Sequence, residues 1–395
     1  MPIGGGAASI GGVTAPVAAA DFLSLVQQRE RGKLKVYIGS AAGTGKTYRM
    51  LNEGNDLRQR GVDAIIGVVE THGRRDTDAQ VRDLESVPRR DITYRGVTLQ
   101  EMDIEGIVAR RPQVALVDEL AHTNVPGTRN AKRWQDVQDL LDDGINVITT
   151  VNVQHLESLN DVIQQTLGVT VRETVPDWVV TSADQVINLD ISAEDLQERL
   201  REGKIYPAEK IPTALANFFT RENLTTLREL ALREVASSVD RVREEIVRRE
   251  EGRPAAAVDR ILVAMSSSPA YTAALLRRAS RIAGRLNSDW YAVYVQTPDE
   301  RPDLIDATVQ RRLVDNIQLA QSLGADVVKL EGTDVAAAIG RFARERGVSL
   351  VIAGRTRRTG WNRFRHGSVM ERLLDGAAGY DVLVVNVPVT AGKSP

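Results

Sequence analysis

The sequence predicts an α/β protein in which a parallel-sheet domain of the P-loop NTPase type is followed by a helical segment and a second, doubly wound α/β domain. From residue 33 to about 190, short apolar runs rich in β-formers alternate with helical patterns. The same alternation returns between residues 258 and 390. Such alternation is typical of parallel sheets covered by helices. A chain of 395 residues has room for two or three domains.

The composition is that of a soluble globular protein, with 42% hydrophobic and 26% charged residues. A formal net charge of −2 predicts no specific nucleic-acid partner. The absence of cysteine excludes disulfides, thiolate metal sites and a cysteine nucleophile. No apolar run is long enough to span a bilayer, and the N-terminus lacks a signal-peptide pattern. We therefore expect a cytoplasmic location.

The first predicted domain covers residues 29–190 and follows a flexible Gly/Ala-rich tail at residues 1–28. In parallel sheets, ligands bind beyond the carboxyl ends of the strands. Four strand ends here are followed by the polar clusters GSAAGTGKT, ETHGRRD, DELAHTN and NVQH. The predicted strands are residues 34–38, 64–69, 114–117, 147–151 and 179–181.

The segment GSAAGTGKT, residues 39–47, predicts a phosphate-binding loop between a strand and a helix. The pattern G-x-x-x-x-G-K-[ST] is met except that Ser40 replaces the first glycine and Gly39 precedes it. Lys46 would contact the β- and γ-phosphates and Thr47 would bind Mg²⁺. A glycine-rich helix-capping turn remains the alternative. The predicted site for ATP consists of Gly39, Ala42, Gly43, Thr44, Gly45, Lys46, Thr47, Tyr48 and Asp118.

The run VALVDEL places two carboxylates at the tip of a buried strand. Asp118 would hold Mg²⁺ together with Thr47, and Glu119 would orient an attacking water as the candidate catalytic residue. The alternative is an acidic residue that caps the next turn.

Further polar residues near these strand ends have two readings each. Glu70 and His72 supply an acid and a proton carrier, or they are structural polar residues. Arg129 and Arg133 complete a site across a subunit boundary, or they are solvated charges.

Residues 191–250 predict a helical extension. Ser192 precedes an acid by three residues in SAEDLQERL, as at a helix N-cap. Residues 251–257 form a charged linker broken by Gly and Pro. A helical stripe is formed by Leu224, Leu227, Ala231, Val235, Val239, Val242 and Ile246.

The second predicted domain covers residues 258–390 and has five strands in about 130 residues, which is typical of a doubly wound fold. Its predicted strands are residues 261–264, 291–295, 327–330, 350–353 and 382–387.

Four segments together closely resemble the N-terminal domain of the KdpD family of bacterial potassium and osmotic-stress sensor kinases: GSAAGTGKT, VVETHGR, VDELAHTNVPGTRNAKRWQDV and GINVITTVNVQHLESLND. The resemblance covers residues 30–240, and the offset glycine looks like the family's own loop. It implies an ATP-binding cytoplasmic region that modulates the balance of kinase and phosphatase activity in a distant catalytic core. In a longer sensor that region would lie at the cytoplasmic face of the inner membrane.

Residues 258–388 resemble a universal stress protein domain. Nucleotide-binding members carry G-x-x-G, nine residues and G-[ST]; here Arg357 replaces the second glycine, and Ser266 replaces the usual aspartate after the first strand. Some KdpD relatives bind cyclic di-AMP here through a Ser-x-Ser pair and an aromatic-containing strand. We predict a site for cyclic di-AMP or a second nucleotide. The alternatives are docking of an anionic lipid or a protein, and a basic loop that is only solvated. Its candidate residues are Ser266, Ser268, Tyr294, Gly354, Arg355, Arg357, Gly367 and Ser368.

The loop from Arg355 to Arg365 carries five arginines and suits a polyanionic partner such as an anionic membrane surface. The membrane helices and kinase core of the family are absent from this sequence. We expect the chain to be either an excised input region or a natural short form. The initial Met and the Gly/Ala tail favour the short form. Expected partners are a nucleotide, a sensor kinase core, a response regulator or another protein, and a second copy in a homodimer. The rival reading is a stand-alone P-loop NTPase or small-molecule kinase.

Overall fold

Two parallel β-sheets organise the chain, whose computed structural model describes residues 31–251, 260–266, 272–286, 288–298, 306–354, 369–377 and 379–385. Side chains in the first of these ranges are described as far as residue 236. The predicted tail, most of the linker and the arginine-rich loop lie outside the described residues.

The first sheet has six parallel strands in the order β3-β2-β6-β7-β1-β8. Four of the five strands predicted for this region are confirmed. β7 lies between β1, which leads into the glycine-rich loop, and β6, which leads into Asp118. The strands are β1 (Leu34–Gly39), β2 (Ala64–Val68), β3 (Glu85–Ser86), β6 (Val114–Val117), β7 (Asn146–Asn152) and β8 (Gln185–Leu189).

Alternating side chains of these strands enter two apolar cores, one on each face of the sheet. Val36 and Ile38 pack into one core, while Tyr37 packs into the other. β6 divides in the same way, with Val117 on the first face and Leu116 on the second. A sheet covered on both faces needs strands that are apolar throughout, which explains their continuous apolar runs.

Helices and one antiparallel hairpin connect and cover the strands. The hairpin consists of β4 (Arg90–Tyr94) and β5 (Val97–Glu101). The helices of this part are α1 (Lys46–Gln59), α2 (Arg75–Asp78), α3 (Ile104–Arg110), α4 (Arg133–Asp142), α5 (Asn160–Leu167) and α6 (Asp177–Thr181), with 3₁₀ turns at Val153–His155 and Glu157–Leu159.

The predicted strand at residues 179–181 is wrong, because this segment is the end of helix α6. Pro176 precedes the helix and Asp177 opens its first turn, which are helix-start signals. Both valines of the segment are buried, so their burial rather than strand pairing explains the apolar run. The strand that pairs with β1 on the side opposite β7 is β8, which begins eight residues after the first residue of the helix, Asp177.

The helical extension folds back onto the glycine-rich loop. Its helices are α7 (Ala193–Arg201), α8 (Ile211–Ala216) and α9 (Arg221–Glu251), with a 3₁₀ turn at Ala208–Lys210. Ala41 of the loop shares one apolar core with Leu196, Ile205 and Phe219. The Ser192 side chain accepts a hydrogen bond from Asp195 N at 3.0 Å, as the N-cap pattern predicts.

The second sheet has five parallel strands in the order β11-β10-β9-β12-β13. All five predicted strands are confirmed as far as they are described; residues 386 and 387 of the last one lie outside the described residues. Apolar cores cover both of its faces. The strands are β9 (Ile261–Met265), β10 (Trp290–Gln296), β11 (Asp326–Glu331), β12 (Leu350–Gly354) and β13 (Asp381–Val385). The helices are α10 (Thr272–Leu286), α11 (Ala307–Ser322), α12 (Val335–Arg346) and α13 (Val369–Asp375).

Two arginines of α10 join the second sheet's domain to the QHLESLND segment of the first. Arg277 donates to Glu157 Oε1 through Nε at 3.0 Å and through a terminal nitrogen at 2.8 Å. Arg281 donates to Asp161 at 2.7 Å. All four side chains are largely buried, with 11–21% of each exposed. Of the helices that the structure describes, none has the length and apolar character needed to cross a bilayer.

We expect the Arg277–Glu157 pair to hold this contact, because a partly desolvated ion pair with two hydrogen bonds is stronger than an exposed one. A double-mutant cycle of Arg277→Ala and Glu157→Ala, measured by native-state hydrogen exchange of α10 amides, should give a coupling energy of about 1–2 kcal/mol. Arg278→Ala, at an exposed neighbour on the same helix, should leave those amides unchanged. A coupling energy near zero would contradict this assignment.

Candidate functional site

The glycine-rich loop has the backbone conformation that a phosphate cradle requires. Gly43 and Gly45 have positive φ angles of 89° and 91°, which favour glycine. A Cβ at Gly39 would overlap Thr44 Oγ1 and lie 3.2 Å from Lys46 Nζ. The displaced first glycine therefore has a local cause: the loop brings Thr44 and Lys46 directly over position 39, whereas the buried Ser40 occupies a place where a side chain fits.

Lys46 is a buried cation held by neutral oxygens. Its Nζ donates to Ala41 O at 2.9 Å and to Thr44 Oγ1 at 3.0 Å, and only 8% of the residue is exposed. Burial lowers the pKa of Lys46 to about 8, against the opposing charge of Asp118. An ammonium in such a place is stabilised by an anion more than by carbonyl oxygens, so the loop fits a phosphate group.

Asp118 joins the loop to the neighbouring strands. Thr47 Oγ1 donates to Asp118 Oδ2 at 3.0 Å, Thr150 of β7 donates to Asp118 Oδ1, and Glu70 N donates to Oδ2 at 3.3 Å. Burial raises the pKa of Asp118 in spite of these bonds. A hydroxyl and a carboxylate in contact are oxygen ligands of the kind that Mg²⁺ prefers, and the structure brings together the two residues predicted for the metal.

Glu119 and His72 form an ion pair beside the loop, at 2.9 Å between Oε1 and Nε2. Both residues adopt left-handed backbone conformations, with φ angles of 55° and 53°, which cost free energy for residues with side chains. The hydrogen bond that His72 Nε2 donates to the Glu119 carboxylate raises the pKa of His72. Burial would raise the pKa of Glu119, but the bond and charge of His72 outweigh it and the pKa is lowered.

Two arginines that the sequence did not indicate contact the loop or the helical extension that packs on it. Arg199 of α7 donates to Gly43 O at 3.0 Å. Arg74, which follows the turn after β2, donates through Nε to Ile205 O at 3.3 Å. Arg199 belongs to an amphipathic helix and Arg74 to an arginine pair, so neither had a signal beyond its charge.

Three further residues of the predicted ATP site, Ala42, Thr44 and Tyr48, differ in burial. Ala42 packs beside the core formed by the loop and the helical extension. Thr44 is buried and bonded to Lys46. Tyr48 lies in the first turn of α1 with 42% of its surface exposed. Asn152 of β7 pairs in register with Gly39, and its Oδ1 is buried without a hydrogen-bond partner among the described residues.

The segment that follows Glu119 is held in place by hydrogen bonds to the buried side chain of Glu101. Glu101 is 3% exposed and accepts hydrogen bonds from His122 at 3.0 Å, Val125 N at 2.8 Å and Arg133 at 3.0 Å. Arg133, itself 2% exposed, also donates to Asp118 O at 3.4 Å. Both readings predicted for Arg133 are therefore wrong, because it is neither solvated nor accessible to a second subunit. Arg129 is exposed and pairs with Asp139.

The described part of the second candidate site lies at the carboxyl ends of three inner strands of the second sheet. Ser266 follows β9, Gly354 ends β12 and Tyr294 lies near the end of β10; these strands are neighbours. Tyr294 is 4% exposed and belongs to the apolar core. The other candidates, Ser268, Arg355, Arg357, Gly367 and Ser368, lie outside the described residues, as does the loop to Arg365.

Comparison with known proteins gives two family matches. A profile described as the osmosensitive K⁺ channel His kinase sensor domain (KdpD) matches residues 30–239, and the universal stress protein family matches residues 257–386. The putative sensor protein KdpD of Synechocystis is 45% identical over 346 residues, which cover 87% of this chain and 91% of the relative.

Two further similar proteins differ in how much of each chain is covered. The sensor protein KdpD of Escherichia coli is 43% identical over 360 residues, which cover 90% of this chain but 39% of the relative. This chain thus spans about two-fifths of that protein's length. A crystal structure of a universal stress protein in complex with cAMP is 22% identical and covers 33% of this chain and 98% of its own, with a TM-score of 0.26.

The His72–Glu119 pair predicts a specific pH dependence. The Glu119→Gln variant should lower the pKa of His72, because it removes the hydrogen bond and the charge that raise it while burial remains. Histidine NMR titration can measure this in a chain with four histidines. Glu105→Gln, at an exposed glutamate, is the control and should leave His72 unchanged; an unchanged pKa in Glu119→Gln would contradict the pairing.

The same shifts fix the sign of the stability effect. The folded pKa of His72 is raised, so its contribution is complete below the unfolded pKa of about 6.5 and is lost as pH rises through the folded value. The folded pKa of Glu119 is lowered, so its contribution is complete above about 4.3 and is lost as pH falls. The pair should therefore stabilise the fold most between about pH 4.3 and 6.5.

Proposed function

The chain belongs to the KdpD family of sensor proteins, and on that premise we propose that it is a regulatory region that binds Mg-ATP at the glycine-rich loop and reports the binding through its helical extension. The region would modulate the kinase and phosphatase output of a potassium and osmotic-stress two-component system. The observation that carries the proposal is the shared core of Ala41, Leu196, Ile205 and Phe219.

The chemistry of the loop supports ATP as its ligand. Gly43 and Gly45 shape the turn that leads into the N-terminus of α1. The first N–H groups of a helix lack intrahelical partners, and the helix dipole stabilises an anion there. Lys46 supplies a buried cation whose present partners are neutral. The ligand would replace these weak bonds with charge-assisted ones, which are about twice as strong.

Thr47 and Asp118 would hold Mg²⁺. The described residues contain no cluster of three His, Cys, Asp or Glu side chains that could form a metal cage. Mg²⁺ is usually bound by one or two carboxylates together with substrate phosphates and water, so a single carboxylate with a hydroxyl fits a metal that arrives with the nucleotide. The metal would screen the phosphate charges.

The packing of the loop supports a reporting role. Leu196 and Ile205 come from the helical extension, and the Ile205 side chain occupies the space that a Cβ at Gly43 would fill. Arg199 adds a hydrogen bond to Gly43 O from the same extension. Any adjustment of the loop around phosphates must therefore move or tighten these contacts, because close-packed side chains transmit small shifts.

A second function, that of an NTPase or small-molecule kinase, is favoured by Glu119. Its strained backbone and its contact with His72 are features of catalytic groups. Glu119 would then orient water, and His72 would hold a proton. Steady-state phosphate release at about 1 s⁻¹ or faster, the low end of usual enzyme turnover, would favour this function over the regulatory one.

The domain boundaries, the ligand of the second domain and the partners are also proposed. We propose domain boundaries at 29–190, 191–250 and 258–390, supported by the two separate sheets. The second domain would bind cyclic di-AMP or another nucleotide at the sheet edge that carries Ser266 and Gly354. The kinase core, the response regulator, an anionic membrane surface and a second copy of the chain are the proposed partners.

The Lys46→Ala variant should abolish measurable Mg-ATP binding in isothermal titration, because it removes the buried cation of the cradle. Lys33→Ala, at an exposed lysine before β1, is the matched control and should bind like the wild type. Circular dichroism checks that both variants are folded. Equal binding by wild type and Lys46→Ala would remove the proposed site.

A further inference from the structure

Arg74 is positioned at the loop by an unusual turn. His72 and Gly73 both have positive φ angles, 53° and 70°, and Arg74 N donates to Thr71 O at 3.0 Å. This turn reverses the chain after β2 and leaves the Arg74 side chain partly buried at the edge of the sheet that carries the P-loop. Its Nε reaches across to Ile205 O at 3.3 Å.

The charge of Arg74 acts on the groups that form the proposed nucleotide site. It lowers the pKa of Lys46 in addition to burial. Burial lowers the pKa of Arg74, and the charges of Tyr206, Asp118 and Glu119 oppose that lowering. The two cations repel each other in this partly desolvated place. An anion between them would remove that cost.

The nearby carboxylates are already engaged. Asp118 accepts from Thr47 and Thr150, and Glu119 is paired with His72. Arg89, another arginine near this edge, pairs with Glu70 at 2.6 Å. Among the ion pairs of the described residues, by contrast, none includes Arg74. Its guanidinium has five N–H donors, and a phosphate is the acceptor that matches their fork geometry.

The difference between the two nucleotides indicates which phosphate. A nucleoside triphosphate has one phosphoryl group more than a diphosphate, and each added phosphate brings negative charge and acceptor oxygens. Lys46, Thr47 and Asp118 would serve both nucleotides and do not distinguish them. Arg74 is a partly buried cation outside the described ion pairs, and the additional phosphate would give it an acceptor.

We infer that Arg74 hydrogen-bonds the terminal phosphate of the bound nucleoside triphosphate and gives the site its preference for triphosphate over diphosphate. The inference rests on the proposed function of the loop as a nucleotide site and adds the residue that discriminates between the two nucleotides. The same guanidinium donates through Nε to Ile205 O of the helical extension. Binding of the terminal phosphate to Arg74 would therefore change a contact of that segment.

The test is isothermal titration of the full chain with Mg-ATP and, separately, Mg-ADP. Arg74→Ala should weaken Mg-ATP binding by about 10- to 100-fold, the range for a hydrogen bond to a charged group, and leave Mg-ADP binding within about twofold. Arg74→Lys keeps the charge without the fork and should lose less. Arg75→Ala, at the exposed neighbouring arginine, is the matched control and should change neither affinity.

The outcomes separate this inference from the proposed function. Retained Mg-ADP binding in Arg74→Ala shows that the variant is folded and that its loop is intact. An equal loss of both nucleotides, or no change in either, would overturn the role of Arg74 while leaving the loop as a nucleotide site. If the wild type binds neither nucleotide, the proposed function fails, and the inference falls with it.

Discussion

The structure depends on the packing of the glycine-rich loop against the helical extension. Ala41 is fully buried in a core that it shares with Phe219 and Leu196, and Ile205 closes on Gly43. An ordinary phosphate loop needs small residues only so that its backbone can approach a ligand. Here Ala41 and Ala42 also bury apolar surface, so the glycine-rich loop is a packing surface in addition to the proposed ligand site.

The second constraint is the chain of polar contacts that spans the sheet beneath the loop. Thr47 of α1 donates to Asp118 at the end of β6, and Thr150 donates to the same carboxylate from β7, which ties the first turn of α1 to two strands that are neighbours in the sheet. Burial makes each of these bonds costly to leave unmade. β7 then continues into the segment with Glu157 and Asp161, which bind α10 of the second domain.

The sequence predicted the fold and the centre of the site because both follow from local pattern. Strand-end clusters placed Lys46, Thr47 and Asp118 together, since carboxyl ends of parallel strands meet at one edge. Arg199 reaches the loop across 156 positions of the chain, and Thr150 reads as an ordinary β-branched strand former, so neither role was predictable. The error at residues 179–181 came from trusting β-propensity over the Pro-Asp start of a helix, a case in which burial decides.

Hydrogen exchange of the full chain with and without Mg-ATP tests most directly whether the loop and the helical extension act as one unit. We expect slower exchange at residues 39–47 and also at residues 192–201 and 219–224, because a ligand that orders the loop stabilises the core that both share. Protection confined to residues 39–47, with the extension unchanged, would contradict it. In that case the packing of Ala41 would be structural, and nucleotide binding would not be reported through the extension.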